Sequence, residues 1–97
     1  MGSRGVERQI EEIQLRLNVA RESLRVLEEQ VAAWNETLDE ARIRSLVSET
    51  PQLTAEYNEL SKHVAVATAE MERRAQEVAL LLVERDALLR QWTPKEQ

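Results

Sequence analysis

From Val6 to Ala41 the apolar positions fall at Val6, Ile10, Ile13, Leu17, Ala20, Leu24, Leu27, Val31, Trp34, Leu38 and Ala41. The steps alternate four and three residues without a slip. A mean spacing of about 3.5 keeps one stripe facing one partner along a gently supercoiled helix. The helix that carries such a stripe cannot bury it, so the rest of the chain must supply a cover. No Gly or Pro interrupts residues 6–50, and the pattern predicts a helix over 6–47, with residues 1–5 outside it.

The stop comes at Ser48-Glu49-Thr50-Pro51. Proline disfavours the helical conformation for the residue before it but suits the first position of a new helix. Thr50 is therefore the expected N-cap, with a turn over 48–51 and a second helix over 51–91. The second stripe reads Leu53, Tyr57, Leu60, Val64, Ala67 and Met71. Continued strictly, it would bury Arg74 and Arg85 among Val78, Leu81, Leu88 and Trp92. A four-residue insertion in the pattern between 71 and 78 would expose both arginines and put Ala75, Val78, Leu82 and Leu89 inside, and such a stutter is expected.

A short connection makes neighbouring helices antiparallel. Leu17 then faces Leu81, Ala20 faces Val78, and Trp34 is buried against Val64 and Ala67. Val6 and Ile10 reach Leu88 and Trp92 at the open end. The expected fold is all-α: one domain over 1–97, an antiparallel two-helix coiled-coil hairpin.

One hairpin leaves apolar residues uncovered. Val78 to Val83 are six consecutive apolar residues, which point in every direction around a helix. Leu15, Val19, Val26 and Ala33 form a second stripe on the first helix, and the two excesses coincide in the antiparallel register. A second hairpin docking there would complete a four-helix bundle, and a two-fold dimer is the commonest way to form one. The expected dimer interface is Leu15, Val19, Val26, Ala79, Leu80 and Val83.

Composition narrows the possible partners. The net charge is −5, with eleven arginines and two lysines interleaved among sixteen glutamates, so clustered cations for replacing nucleic-acid counterions are missing. No apolar run approaches the ~20 residues of a membrane span. Glu7, Arg8, Glu11 and Glu12 break up any signal-peptide core, and a cytoplasmic location is expected. Cysteine is absent, which removes disulfides and thiolate metal sites. The partners expected are a second copy and other proteins, not nucleic acid or membrane.

Candidate chemistry is thin. His63 is the only histidine. Di-iron bundles need a Glu three residues before a His, and position 60 is leucine. Glu11-Glu12 and Glu28-Glu29 point to different sides of a helix. Serines 23, 45, 48 and 61 have no base in a triad arrangement, and no glycine-rich phosphate loop exists. No catalytic, cofactor-binding or metal-binding residue is expected, and no enzyme. The hairpin tip is more distinctive. Glu36, Asp39, Glu40, Glu49, Glu56 and Glu59 against Arg42 and Arg44 give residues 36–59 a net −4. Asp39, Glu40, Ile43, Leu46, Val47 and Glu49 are the candidate partner-binding residues there. Ile43 and Leu46 have a second possible role, packing under Leu53.

An acidic hairpin tip is similar to that of bacterial transcription factors of the Gre type, which present tip acids to RNA polymerase. Their globular domain has no counterpart here. The segments Val26-Leu27-Glu28-Glu29-Gln30, Asp39-Glu40-Ala41-Arg42 and Leu46-Val47-Ser48-Glu49-Thr50-Pro51, with Glu59, Lys62 and His63, resemble small uncharacterised coiled-coil proteins of actinobacteria. That resemblance covers residues 24–63 and implies a helical hairpin without a transferable activity. The expected function is a non-enzymatic assembly or adaptor module acting through homodimerisation. The alternative is a regulator whose acidic tip binds a larger machine such as RNA polymerase.

Overall fold

The computed structural model describes residues 2–92 and consists of two helices, α1 (Gly2–Ser48) and α2 (Pro51–Gln91). No strand occurs among the described residues. The chain is an all-α helical hairpin. Its first helix begins before Val6, at Gly2, because no proline opposes extension of the helix toward the N-terminus. Two glycines in that turn cost less than continued backbone hydrogen bonding returns.

The turn is built as its sequence dictates. Thr50 Oγ1 accepts from the Leu53 amide at 3.2 Å and the Thr50 carbonyl accepts from the Thr54 amide at 3.1 Å, which caps α2. The Glu49 amide donates to the Ser45 carbonyl at 2.9 Å and closes α1. Glu49 itself sits at φ 51°, in the left-handed region that glycine normally fills after a helix. A Cβ there crowds the following carbonyl.

Two compact units can be distinguished, one of Met1–Leu24 with Arg74–Gln97, the other Arg25–Arg73. In the first, Ile13, Leu17, Ala20 and Leu81 form the core, with Val78, Leu82 and Leu88 packed against it. Leu17 is 0% exposed. Leu17 with Leu81, and Ala20 with Val78, thus fall in one cluster, as the register predicts. Trp92 Nε1 donates to Glu7 Oε2 at 3.2 Å and ties the ends of the two helices together. In the second unit Val31, Ala41 and Val64 are buried, while Leu38, Leu53, Tyr57, Leu60, Ala67 and Met71 are half-buried.

The expected stutter does not occur. Of its four positions Val78 and Leu82 are half-buried but Ala75 and Leu89 are exposed, whereas Arg74 and Arg85 are half-buried in line with Val78, Leu81 and Leu88. The strict spacing survives because an arginine can lay its methylenes along the seam and send its head to the edge. Arg85 donates from Nη1 to Gln14 Oε1 across the seam at 3.4 Å, and Nη2 lies 3.5 Å from Asp86 Oδ1. Arg74 Nη1 reaches Glu77 Oε1 at 3.5 Å. Full accommodation is not achieved: Arg85 Nε is buried with no hydrogen-bond partner.

Two stability measurements follow from this fold. Glu49→Gly relieves the left-handed strain and is expected to stabilise the protein by about 0.5–1 kcal/mol, less the entropy glycine adds to the unfolded chain. An unchanged or lower melting temperature would show that the Glu49 side chain compensates the strain. Arg85→Met removes the unsatisfied Nε and keeps the stem. Such replacements of buried charge are neutral or stabilising, here by about 1 kcal/mol. Urea unfolding reads the difference.

Candidate functional site

Two helices with a 3.5-residue repeat bury two positions in seven, and the other five face outward. The outward positions are where function must lie. In the unit of Met1–Leu24 and Arg74–Gln97, five of the described large apolar side chains are exposed: Leu89 at 43%, and four well above half, Leu15 67%, Val19 71%, Leu80 68% and Val83 64%.

Their arrangement follows from the helix. On α1, Glu12, Arg16, Val19 and Ser23 step by four, three and four residues; on α2, Glu77, Leu80, Glu84 and Ala87 step by three, four and three. Each set is one strip along a helix face. The two strips share a flank of the hairpin. Gln9, Glu12 and Arg16 line one shallow groove with Glu84 and Ala87. Leu15, Arg16, Val19 and Ser23 line the adjoining one with Arg74 and Glu77. Leu80 lies on the α2 strip between Glu77 and Glu84. Leu15 and Val83 stand at the outer margins of the flank.

The other flank differs. It holds Gln14, bonded to Arg85, and on α2 the strip Ala75, Ala79, Leu82, Asp86. Ala79 therefore falls away from Val19 and Leu80 and adds nothing to their surface. Val26 continues the α1 strip three residues past Ser23, within the other unit, and is 38% exposed. The six expected interface residues thus divide into Val19 and Leu80 on the strips, Leu15 and Val83 at the margins, Val26 one step beyond, and Ala79 opposite.

The tip residues are all exposed. Asp39, Glu40, Ile43, Leu46, Val47 and Glu49 lie at the surface of their unit, and Asp39 Oδ1 accepts from Arg42 Nη2 at 3.1 Å. Ile43 and Leu46, which have an alternative role packing under Leu53, are 48% and 62% exposed. Short-range pairs such as Arg25–Glu29 at 2.6 Å and Arg42–Asp39 lie on exposed faces, where each contributes little.

Trp34 corrects the seam reading. It was expected inside against Val64 and Ala67, but it is 37% exposed. Its indole is too broad for the closest approach of two helices and meets His63 instead, edge to face, with centroids 4.8 Å apart at 69°. Trp34 and His63 share an open groove with Glu59, Leu60, Lys62 and Val66. Among the described residues no group of three His, Cys, Asp or Glu is placed to hold a metal ion, and no helix is long and apolar enough to cross a membrane. Set against protein-family profiles, curated proteins and solved structures, the chain matches none.

The seam and Trp34 are separable by mutation. Leu17→Ala should cost about 3 kcal/mol, as expected for a fully enclosed leucine. Trp34→Ala removes a larger side chain yet should cost less, about 1–2 kcal/mol, since a third of its surface is already wet. A larger loss at Trp34 in chemical denaturation would place the centre of packing in the wrong unit.

Proposed function

We propose that the protein is a non-enzymatic coiled-coil assembly module that acts by homodimerising through its helical arms. The observation that carries this reading is the exposure of Leu15, Val19, Leu80 and Val83 in one compact unit. Single exposed apolar residues are ordinary on any surface. Four large ones at matching levels of an antiparallel pair, with polar residues between them, are a concentration that supports an interaction surface.

The second reading, a tip that binds a larger machine, is supported by exposed Ile43, Leu46 and Val47 beside the tip acids. It ranks lower because acids are readily solvated at a turn and scattered exposed apolar residues are ordinary, whereas the exposed apolar residues of the arms come from two helices at one level.

One pair of variants distinguishes them. Light scattering at tens of micromolar should report a dimer for the unaltered protein and a monomer for Leu80→Glu, with helix content retained. Asp39→Asn with Glu40→Gln should leave the dimer intact. A monomeric unaltered protein removes the assembly reading. Dissociation by the tip substitutions, with Leu80→Glu still dimeric, transfers the interface to the tip.

A further inference from the structure

The homodimer reading leaves open which face meets which. Charge divides unevenly between the two compact units. Met1–Leu24 with Arg74–Gln97 contains eight basic and eight acidic residues, while Arg25–Arg73 contains five basic and ten acidic ones and so accounts for the whole −5. Two copies meeting on the first unit face no net repulsion. On the second they would oppose each other. The neutral unit is also the one that holds Leu15, Val19, Leu80 and Val83, each more than 60% exposed.

Resting on that reading, we infer that the partner is a second copy seated on the Glu12–Ser23 and Glu77–Ala87 flank, with α1 of each chain on α2 of the other. The strips themselves give the pairing. Contacts across the hairpin in this unit join residues whose numbers sum to about 99, as Gln14 with Arg85 and Glu7 with Trp92. A two-fold axis running along the helices keeps that level and exchanges the helices. Val19 then meets Leu80 of the second copy, Arg16 meets Glu84, and Ser23 meets Glu77, each pair occurring twice. The alternative axis, across the helices, would stack Glu77 and Glu84 on the same acids of the second copy.

Two observations favour this occupant. Arg16 and Glu84 line one groove, yet neither is in an ion pair among the described residues, so both charges are available to a second chain. The face is large enough when it runs the length of the unit. Residues 5–24 beside 74–92, some 20 residues of paired helix at ~1.5 Å rise and ~10 Å width per helix, offer roughly 600 Å² per copy, of which the Glu12–Ser23 and Glu77–Ala87 stretch supplies a little over half. That is close to the lower bound of ~1,200 Å² total for a specific interface. Association in the micromolar range is what such a face supports.

The test is a charge exchange followed by sedimentation. Arg16→Glu and Glu84→Arg should each weaken self-association roughly tenfold or more, by placing like charges across the interface. Mixing the two variants should restore dimer to within about threefold of the unaltered protein, because the heterodimer regains opposite charge at both places. Circular dichroism of each variant checks that the hairpin is intact, and rescue on mixing cannot come from a change confined to one chain. If the unaltered protein is monomeric at ~100 μM, well above the range this face supports, both the inference and the proposed function fail. If it dimerises but the variants do so equally well, or lose dimer without rescue, the assembly reading stands and this face or pairing is wrong.

Discussion

Every other feature of this hairpin is subordinate to a 3.5-residue spacing that leaves only two buried positions per heptad on each helix. With so few inward sites, each must be filled by a side chain that reaches across to the other helix. Leu17, Ile13, Ala20 and Leu81 do this in the open-end unit, and large and small residues alternate there so that knobs find holes. The same economy makes the protein intolerant of error along the seam. One enclosed leucine represents a sizeable part of the few kcal/mol by which a domain of this size is stable.

The two arginines show how far a hydrophobic criterion can be trusted. Period alone placed Arg74 and Arg85 in the seam; polarity argued them out and called for a stutter. Period prevailed. The reason is geometric, since moving one turn of the pattern would shift every following residue, whereas an arginine need only bend its head toward Gln14, Asp86 or Glu77. The cost is local and visible in the unpartnered Nε of Arg85. A retained charge in a seam can also fix register, as polar core residues do in coiled coils.

Much of the architecture was therefore legible before any coordinates. The stop at Thr50-Pro51, the capping role of Thr50 and the level of Leu17 against Leu81 all follow from local chemistry. Trp34 was not legible, because the period says which way a residue points and nothing of whether its ring fits the gap. Nor was the left-handed backbone at Glu49, which no glycine announces. For the candidate surface the sequence supplied Val19 and Leu80. It could not assign Ala79 to the opposite flank, because six consecutive apolar residues conceal the side of the helix on which each one falls.

The magnitude of the exposed apolar surface decides what kind of assembly it can support. Burying half of a valine or leucine is worth about 1 kcal/mol, so Val19 and Leu80 of two copies supply roughly 4 kcal/mol, with a smaller addition from Leu15 and Val83 at the margins. Association itself costs an estimated 4–15 kcal/mol. Apolar contact alone thus reaches only the low end of that cost, and whether two hairpins associate turns on the polar residues between the apolar ones. On this flank those residues are Glu12, Arg16 and Ser23 on α1 and Glu77 and Glu84 on α2, a strip carrying one cation beside an acidic one. An interface balanced in this way would respond to concentration and to charge more readily than a wholly apolar one. It would let the hairpin exist both alone and assembled, which is the property an adaptor requires and a permanent structural bundle does not.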